Sequence, residues 1–208
     1  MRTLSQRHAD LTRELILDAA IAMLEAGPVR ELTMRAVAHS GGLSERTVFR
    51  YFRTREELLD GVVVEGTRRL QTPAPPDSLA GLLQAPRALY SSFEARVGLT
   101  RALLHPDLLP RMQATVAKRR WDAVIRLLDR LAPESPLRER RIAAANIRYY
   151  LAATTWHYYR FIFGFEFEEA VDCANAAIEQ ALQGLHRASP RGRRKAAADP
   201  RPRAPAPS

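Results

Sequence analysis

The 208 residues predict an all-α protein: a three-helix N-terminal head, a linking helix and then a C-terminal bundle of longer helices. Three observations carry this. Apolar residues recur at spacings of three and four almost throughout, the alternation of half-buried strands is missing, and glycine and proline gather in a few clusters. A composition of 46% apolar and 26% charged residues is ordinary for a globular chain, and its length is ample for an internal core.

The first helix is expected at about 10–26, with Leu15, Ala19 and Met23 in one row and Ile16, Ala20 and Leu24 beside it. Gly27-Pro28 stops it, because glycine accepts a left-handed terminus and proline cannot extend the hydrogen-bond ladder. Thr33 caps a short helix carrying Met34, Val37 and Ala38, Gly41-Gly42 break it, and Ser44 caps the next. Thr54 and Glu57 have capping-box spacing and open a fourth helix with Leu58, Leu59, Val62 and Leu70 on its buried side. The prolines of Thr72-Pro73-Ala74-Pro75-Pro76 close it. Beyond them, helices are expected at 77–97 with a possible break at Pro86, then at 99–104, 106–131, 136–163 and 167–185. The division that follows is 1–54 for the head, 55–76 for the linking helix and proline-rich connection, 77–185 for the body, and 186–208 for a disordered basic tail.

The formal charge of +9 tempts one toward nucleic acid until it is partitioned. Residues 1–60 balance nine basic against nine acidic groups, whereas residues 186–208 set seven against one. Most of the excess therefore lies in the tail, and net charge alone does not identify a partner. The longest stretch without an acid, lysine or arginine, Tyr149 to Tyr159, has eleven residues, too few for a bilayer span, so no membrane partner is expected. No apolar signal core follows Met1, and a cytoplasmic location is expected. A single cysteine, Cys173, and five histidines without metal-motif spacing give no metal site or other cofactor. An enzyme built on His157 with Tyr158 or Glu166 is the opposing reading, but nucleophile, metal cluster and phosphate-loop signatures are all missing, so none is expected.

Residues 33–52 have the dimensions of a helix-turn-helix. Val37, Ala38, Leu43, Val48 and Phe52 make a miniature core, leaving Glu45, Arg46, Phe49 and Arg50 outward on a helix that fits a major groove. Between Ser44 and Arg55, four arginines (Arg46, Arg50, Arg53 and Arg55) face one acid, Glu45, a local excess of +3 in a neutral head.

From Thr33 through Leu59 this segment resembles the TetR family of transcriptional regulators, without gaps, through Thr33, Ala38, Gly42, Ser44, Thr47, Tyr51-Phe52 and Glu56-Glu57-Leu58. Overall length and layout are similar too. The resemblance implies a homodimeric regulator, most simply a repressor, that binds a palindromic operator in double-stranded DNA and is released by a small, largely apolar effector. An activator or a broader chromosome-organising factor assisted by the basic tail is the second reading. Carried over by position, Arg35 reaches the groove rim, Glu45, Arg46 and Phe49 face bases, and Thr47, Tyr51 and Arg55 hold phosphates; Ser44 belongs to the same set and Arg50 serves either purpose. Glu45 departs from the basic residue common in relatives, and an acid at the first turn of a helix has a structural use of its own. Phe49 lacks the hydroxyl of the tyrosine often found there. His39 reads as a surface residue.

For the body, the resemblance implies an effector pocket and a four-helix dimer interface. Arg148 to Phe161 is rich in aromatic groups with polar tips, and Tyr150, Thr154, His157 and Tyr158, with Tyr90, Phe93, Met112 and Trp121 facing them, are the lining candidates. Ordinary core packing would use the same residues. The stripe Val171, Ala174, Ile178, Ala181, Leu182 and Leu185 is the interface candidate, and an internal core would again show the same pattern. Cys173 beside it reads as a small filler.

Overall fold

The computed structural model describes residues 4–188, and these form helices and connections with no strand among them. They divide into two compact units, one of residues 4–74 with 88–118, the other of 75–87 with 119–188. The proline cluster is thus only one of three crossing points: residues 88–118, expected in the body, belong with the head. Residues 189–208, most of the expected basic tail, lie outside the described residues.

In the first unit, α1 (Leu4–Ala26) begins six positions before the expected start, since nothing in 4–9 interrupts the ladder and Thr12 Oγ1 donates to the His8 carbonyl at 2.9 Å. It buries Ile16, Leu17, Ala20, Ile21 and Leu24, while Leu15, expected in an inward row, stays 52% exposed. A 3-10 turn, Val29–Glu31, leads to α2 (Met34–Ser40), where Thr33 accepts from the Ala36 amide at 3.1 Å. Gly42 takes φ +63°, a left-handed conformation cheap only for glycine, and turns the chain into α3 (Glu45–Tyr51). The linking helix α4 (Arg55–Arg69) is capped as expected by Thr54, which accepts from the Glu57 amide at 3.1 Å, while the Glu57 carboxylate reaches one residue further back than a capping box requires and accepts from the Arg53 amide at 2.7 Å. Leu58, Leu59, Val62 and Leu70 are all buried. Helix α6 (Val97–Leu103) packs on α1 and α4 through the fully buried Leu99 and Leu103.

Helices α5 (Leu79–Glu94) and α7 (Leu109–Leu131) each contribute residues to both units. Pro86 does not break α5; it is buried with Leu82 and Ala85, and that burial offsets the one hydrogen bond a proline removes.

In the second unit, α8 (Leu137–Tyr150) packs along α10 (Phe167–Ala188), joining Ala143, Ala144 and Ile147 to Ala170, Val171, Ala174 and Ile178 in one core. Ser135 Oγ donates to the Leu185 carbonyl at 3.0 Å and pins the two ends. The single helix expected over 136–163 is three pieces. The chain breaks at Leu151-Ala152, Ala152 being extended, resumes as α9 (Ala153–His157) and continues as a π-helical turn, Tyr158–Ile162. Thr155 supplies the local reason: its hydroxyl donates to the Tyr149 carbonyl, competing for a group the helix ladder needs. Gly164, at φ +74°, ends the turn as expected of a stop. No helix among the described residues is long and apolar enough to cross a membrane, and no group of three metal-ligating side chains is found among them.

Candidate nucleic-acid interface

Helices α2 and α3 meet around Val37, Ala38, Val48 and Phe52, each at most 3% exposed, with Leu43 half-buried at the turn. This small core fixes the angle at which α3 stands. Its first turn is tied further by Ser44, whose Oγ accepts from the Thr47 amide at 3.1 Å and shares a 2.8 Å hydrogen bond with Thr47 Oγ1.

The opposite face of α3 is open. Glu45, Arg46, Phe49 and Arg50 are exposed, Phe49 at 47%, as are Arg35, Ser44 and Arg53 nearby. Thr47 and Tyr51 are half-buried at its edges. The Arg50 guanidinium lies 5.1 Å from the Tyr51 ring centre, a cation–π contact that leaves its donors available. Glu45, the acid that departs from the family pattern, stands at the first position of α3 with its carboxylate 3.7 Å from the Arg35 guanidinium. It is occupied by a cation of α2, and Arg46 is left unopposed by it.

Arg55, expected at a phosphate, also bonds within the chain. Its Nε donates to the Leu32 carbonyl at 3.0 Å and one terminal nitrogen to the Val29 carbonyl at 3.2 Å, with Asp107 at 3.7 Å. The guanidinium serves the backbone at the end of the 3-10 turn, adding a second bond at the Val29 carbonyl, which also accepts from the Leu32 amide at 3.1 Å. Sequence reasoning missed Arg111, which donates to the carboxylates of Glu56 and Asp60 and so ties the start of α7 to the first turns of α4. A lone arginine early in a long helix carries no sequence signal of that engagement.

Behind this face, Gly61 is needed for a close approach. A Cβ there would stand 2.7 Å from Phe52 Cε1 and 3.3 Å from Leu17, so α4 could not lie where it does with a larger residue. Farther along α4, Glu65 is held down to about 2 from the usual 4.5, first by its hydrogen bond to Arg68, against the opposing effect of burial, and then by Arg69.

The residues expected at an effector site divide between the units. Tyr90 and Phe93 are fully buried in the first, their ring centres 6.3 Å apart, and Met112 is half-buried there. In the second, Trp121 lines an open groove of about 560 Å³ with α8, and Tyr150 lines a different one of about 330 Å³ between α8 and α10. Thr154 is half-buried, Tyr158 exposed, and His157 stacks on Phe161 at 5.2 Å. Burial and the neighbouring phenols and thiol push Tyr159 up to about 12. Of the stripe expected at a dimer interface, Val171, Ala174, Ile178 and Leu185 are buried within the unit, whereas Ala181 and Leu182 are half-exposed. The four are consumed by the single chain's own core, because the face of α10 that carries them is the face packed on α8.

Residues 16–62 match the family described as bacterial regulatory proteins, tetR family. An uncharacterized HTH-type transcriptional regulator of Mycobacterium tuberculosis, found in strains CDC 1551 and H37Rv, is 37% identical over 67 residues, 32% of this chain and 33% of that protein. The chain thus matches about a third of the length of these curated relatives. Among solved structures, the flavonoid-responsive regulator FrrA superposes with a TM-score of 0.60 at 20% identity over 88% of this chain and 99% of its own. NalD, the secondary repressor of the MexAB-OprM multidrug efflux pump of Pseudomonas aeruginosa, gives 0.55 at 18% over 86% and 97%. A TetR variant of Acinetobacter baumannii, in complex with minocycline, gives 0.54 at 15% over 83% and 94%. At such identities these structures speak for the fold, and the sequence match of the head speaks for kinship. Residues 16–62 are thus similar to the tetR family, and the described chain shares its fold with these solved structures.

Proposed function

We propose that the protein is a ligand-responsive transcriptional regulator, a repressor in the simplest case, which binds a palindromic operator as a homodimer and lets go when a small molecule occupies its second unit. The observation that carries the reading is the face of α3. A short helix capped by Ser44 and braced by a buried core presents Arg46, Phe49 and Arg50 to solvent, with the nearby acid already committed to Arg35. Exposed guanidiniums on a rigid helix suit guanine edges, Phe49 suits a thymine methyl, and Thr47, Tyr51 and Arg53 at the edges suit phosphates that fix register. Arg55 enters as a brace.

Two such heads reach successive major grooves when their reading helices stand about 34–36 Å apart. The outer face of the α8–α10 pair, where Ile142, Ala177, Ala181 and Gly184 border an open groove, supports pairing there. An effector acts by favouring a conformation in which that spacing is lost.

Gel shifts of the full chain on DNA from upstream of its own and adjacent genes, with and without candidate effectors, test the proposal. A retarded band at low salt that weakens as salt rises is expected, with release by one effector class. Failure to shift any such fragment would overturn it. Many degenerate footprints in place of one or two short palindromes would favour the chromosome-organising reading instead.

A further inference from the structure

Helix α1 is apolar on two opposite sides, and the fold uses one of them. Ile16, Leu17, Ala20, Ile21 and Leu24 face the core of the first unit. Leu4, Leu11 and Leu15 are 75%, 56% and 52% exposed and, at about 100° per residue, fall within roughly 40° of one another on the side turned away from that core. A surface helix needs a single apolar stripe to be held in place, so the second is surplus to the fold. Its spacing of seven and four residues is that of a coiled-coil seam, with Leu4 and Leu11 at one core position and His8 and Leu15 at the other. Asp18 comes next on the same line, and its ion pair with Arg69 closes the stripe there.

Charge complementarity says what covers it. Arg7 and Glu14, both exposed, lie one heptad apart along the same flank of the stripe. Arg68 feels the Glu14 charge, but its own bonds go to both oxygens of Glu65, at 2.7 and 2.6 Å. Lay two copies of α1 antiparallel, with Leu4 against the second copy's Leu15 and His8 against its Leu11. Arg7 then stands opposite the second copy's Glu14, and Glu14 opposite its Arg7, so the stripe is complementary to itself about a twofold axis. A parallel pair stacks His8 on His8 and Asp18 on Asp18 and leaves Arg7 and Glu14 without an opposite charge across the seam.

We propose that α1 is a self-association surface: the stripe of Leu4, Leu11 and Leu15 pairs antiparallel with the same stripe of a second copy, tied at both ends by ion pairs between Arg7 and Glu14. The pairing joins heads of separate molecules. It is distinct from the α8–α10 contact of the proposed homodimer and doubles whatever assembly that contact builds. Roughly four turns of helix from each copy make a small interface of the transient class, favoured at high protein concentration and between molecules held on neighbouring stretches of DNA. The inference does not depend on the protein's being a regulator.

Sedimentation velocity of the full chain, from micromolar to hundreds of micromolar protein, decides the matter. The parent is expected to double in mass across this range. Leu11→Lys, Arg7→Glu and Glu14→Arg should each weaken the doubling by about tenfold or more, and Arg30→Glu, at another exposed position of the first unit, should leave it unchanged. All these positions are exposed, so helix content by circular dichroism should hold in every variant. The sharper arm mixes copies. Arg7→Glu and Glu14→Arg chains, each repelled by its own kind, should pair with one another, because the antiparallel register then sets acid against base at both ends. A chain carrying both changes should pair with itself as the parent does. No doubling of the parent, doubling that survives Leu11→Lys or both single charge reversals, or a mixture of the two charge variants that stays undoubled would each overturn the proposal. The measurement needs no DNA and no effector, so it fails or succeeds apart from the gel shift.

Discussion

In the first unit Arg46, Arg50 and Arg53 stand in water on the rim of a small apolar core, whereas in the second Arg120 and Arg148 are drawn partway into one. Their surroundings differ, and physical chemistry assigns them different partners. A guanidinium in water gains little from a single counter-ion and much from a polyanion whose condensed cations it displaces. A guanidinium withdrawn from water gains most from one anion of matching shape that shares its desolvated surroundings. Exposure, more than the number of positive charges, separates the two groups.

The comparison depends first on the rigidity of the core behind α3. Phe52, 3% exposed with the Arg13 guanidinium 5.1 Å from its ring centre, is the largest side chain there, and Phe52→Ala should cost about 3–5 kcal/mol in urea unfolding. A loss below about 1 kcal/mol would mean that α3 is not braced in this way. Arg46→Ala should leave unfolding unchanged and weaken operator binding by about 1–3 kcal/mol, relaxing preference at one base position. Unaltered sequence preference in a selection experiment would remove Arg46 from base reading. Gly61→Ala gains up to about 1 kcal/mol in helix propensity and loses more to the Phe52 ring, for a net destabilisation of about 1 kcal/mol. A more stable protein would show that the ring yields. The smallest effect concerns acid. Glu65 ionises more readily folded than unfolded, so its ionised form supports the fold above about pH 4.5, and that support fades as the pH falls toward about 2. Glu65→Gln should flatten this part of the stability profile, and an unchanged slope would assign acid sensitivity to other groups.

The head was legible because its determinants are local. Thr33, Ser44 and Thr54 each bond to an amide three residues ahead, an interaction that spacing alone announces, and Gly42 marks a turn that side chains disfavour. In the body the same clues were ambiguous. The stripe of Val171, Ala174 and Ile178 reads alike whether it meets a partner subunit or α8, and it meets α8. The aromatic run through Tyr149–Phe161 hid a break, since helical periodicity says nothing of Thr155 bonding to the Tyr149 carbonyl. Arg55 shows a related limit: a guanidinium beside a reading helix looks like a phosphate ligand, and its bonds to the carbonyls of Val29 and Leu32, distant in sequence, carry no local signal. The half-burial of Arg120 and Arg148 depends on how two helices face each other, which no one-dimensional pattern records.

Arg55 and Arg111 are neighbours in effect as well as in space. One stitches the opening of α4 back to the 3-10 turn, and the other stitches Glu56 and Asp60 forward to the opening of α7. Three stretches far apart along the chain therefore share a single knot, and amide protons around it should exchange with solvent on one common clock.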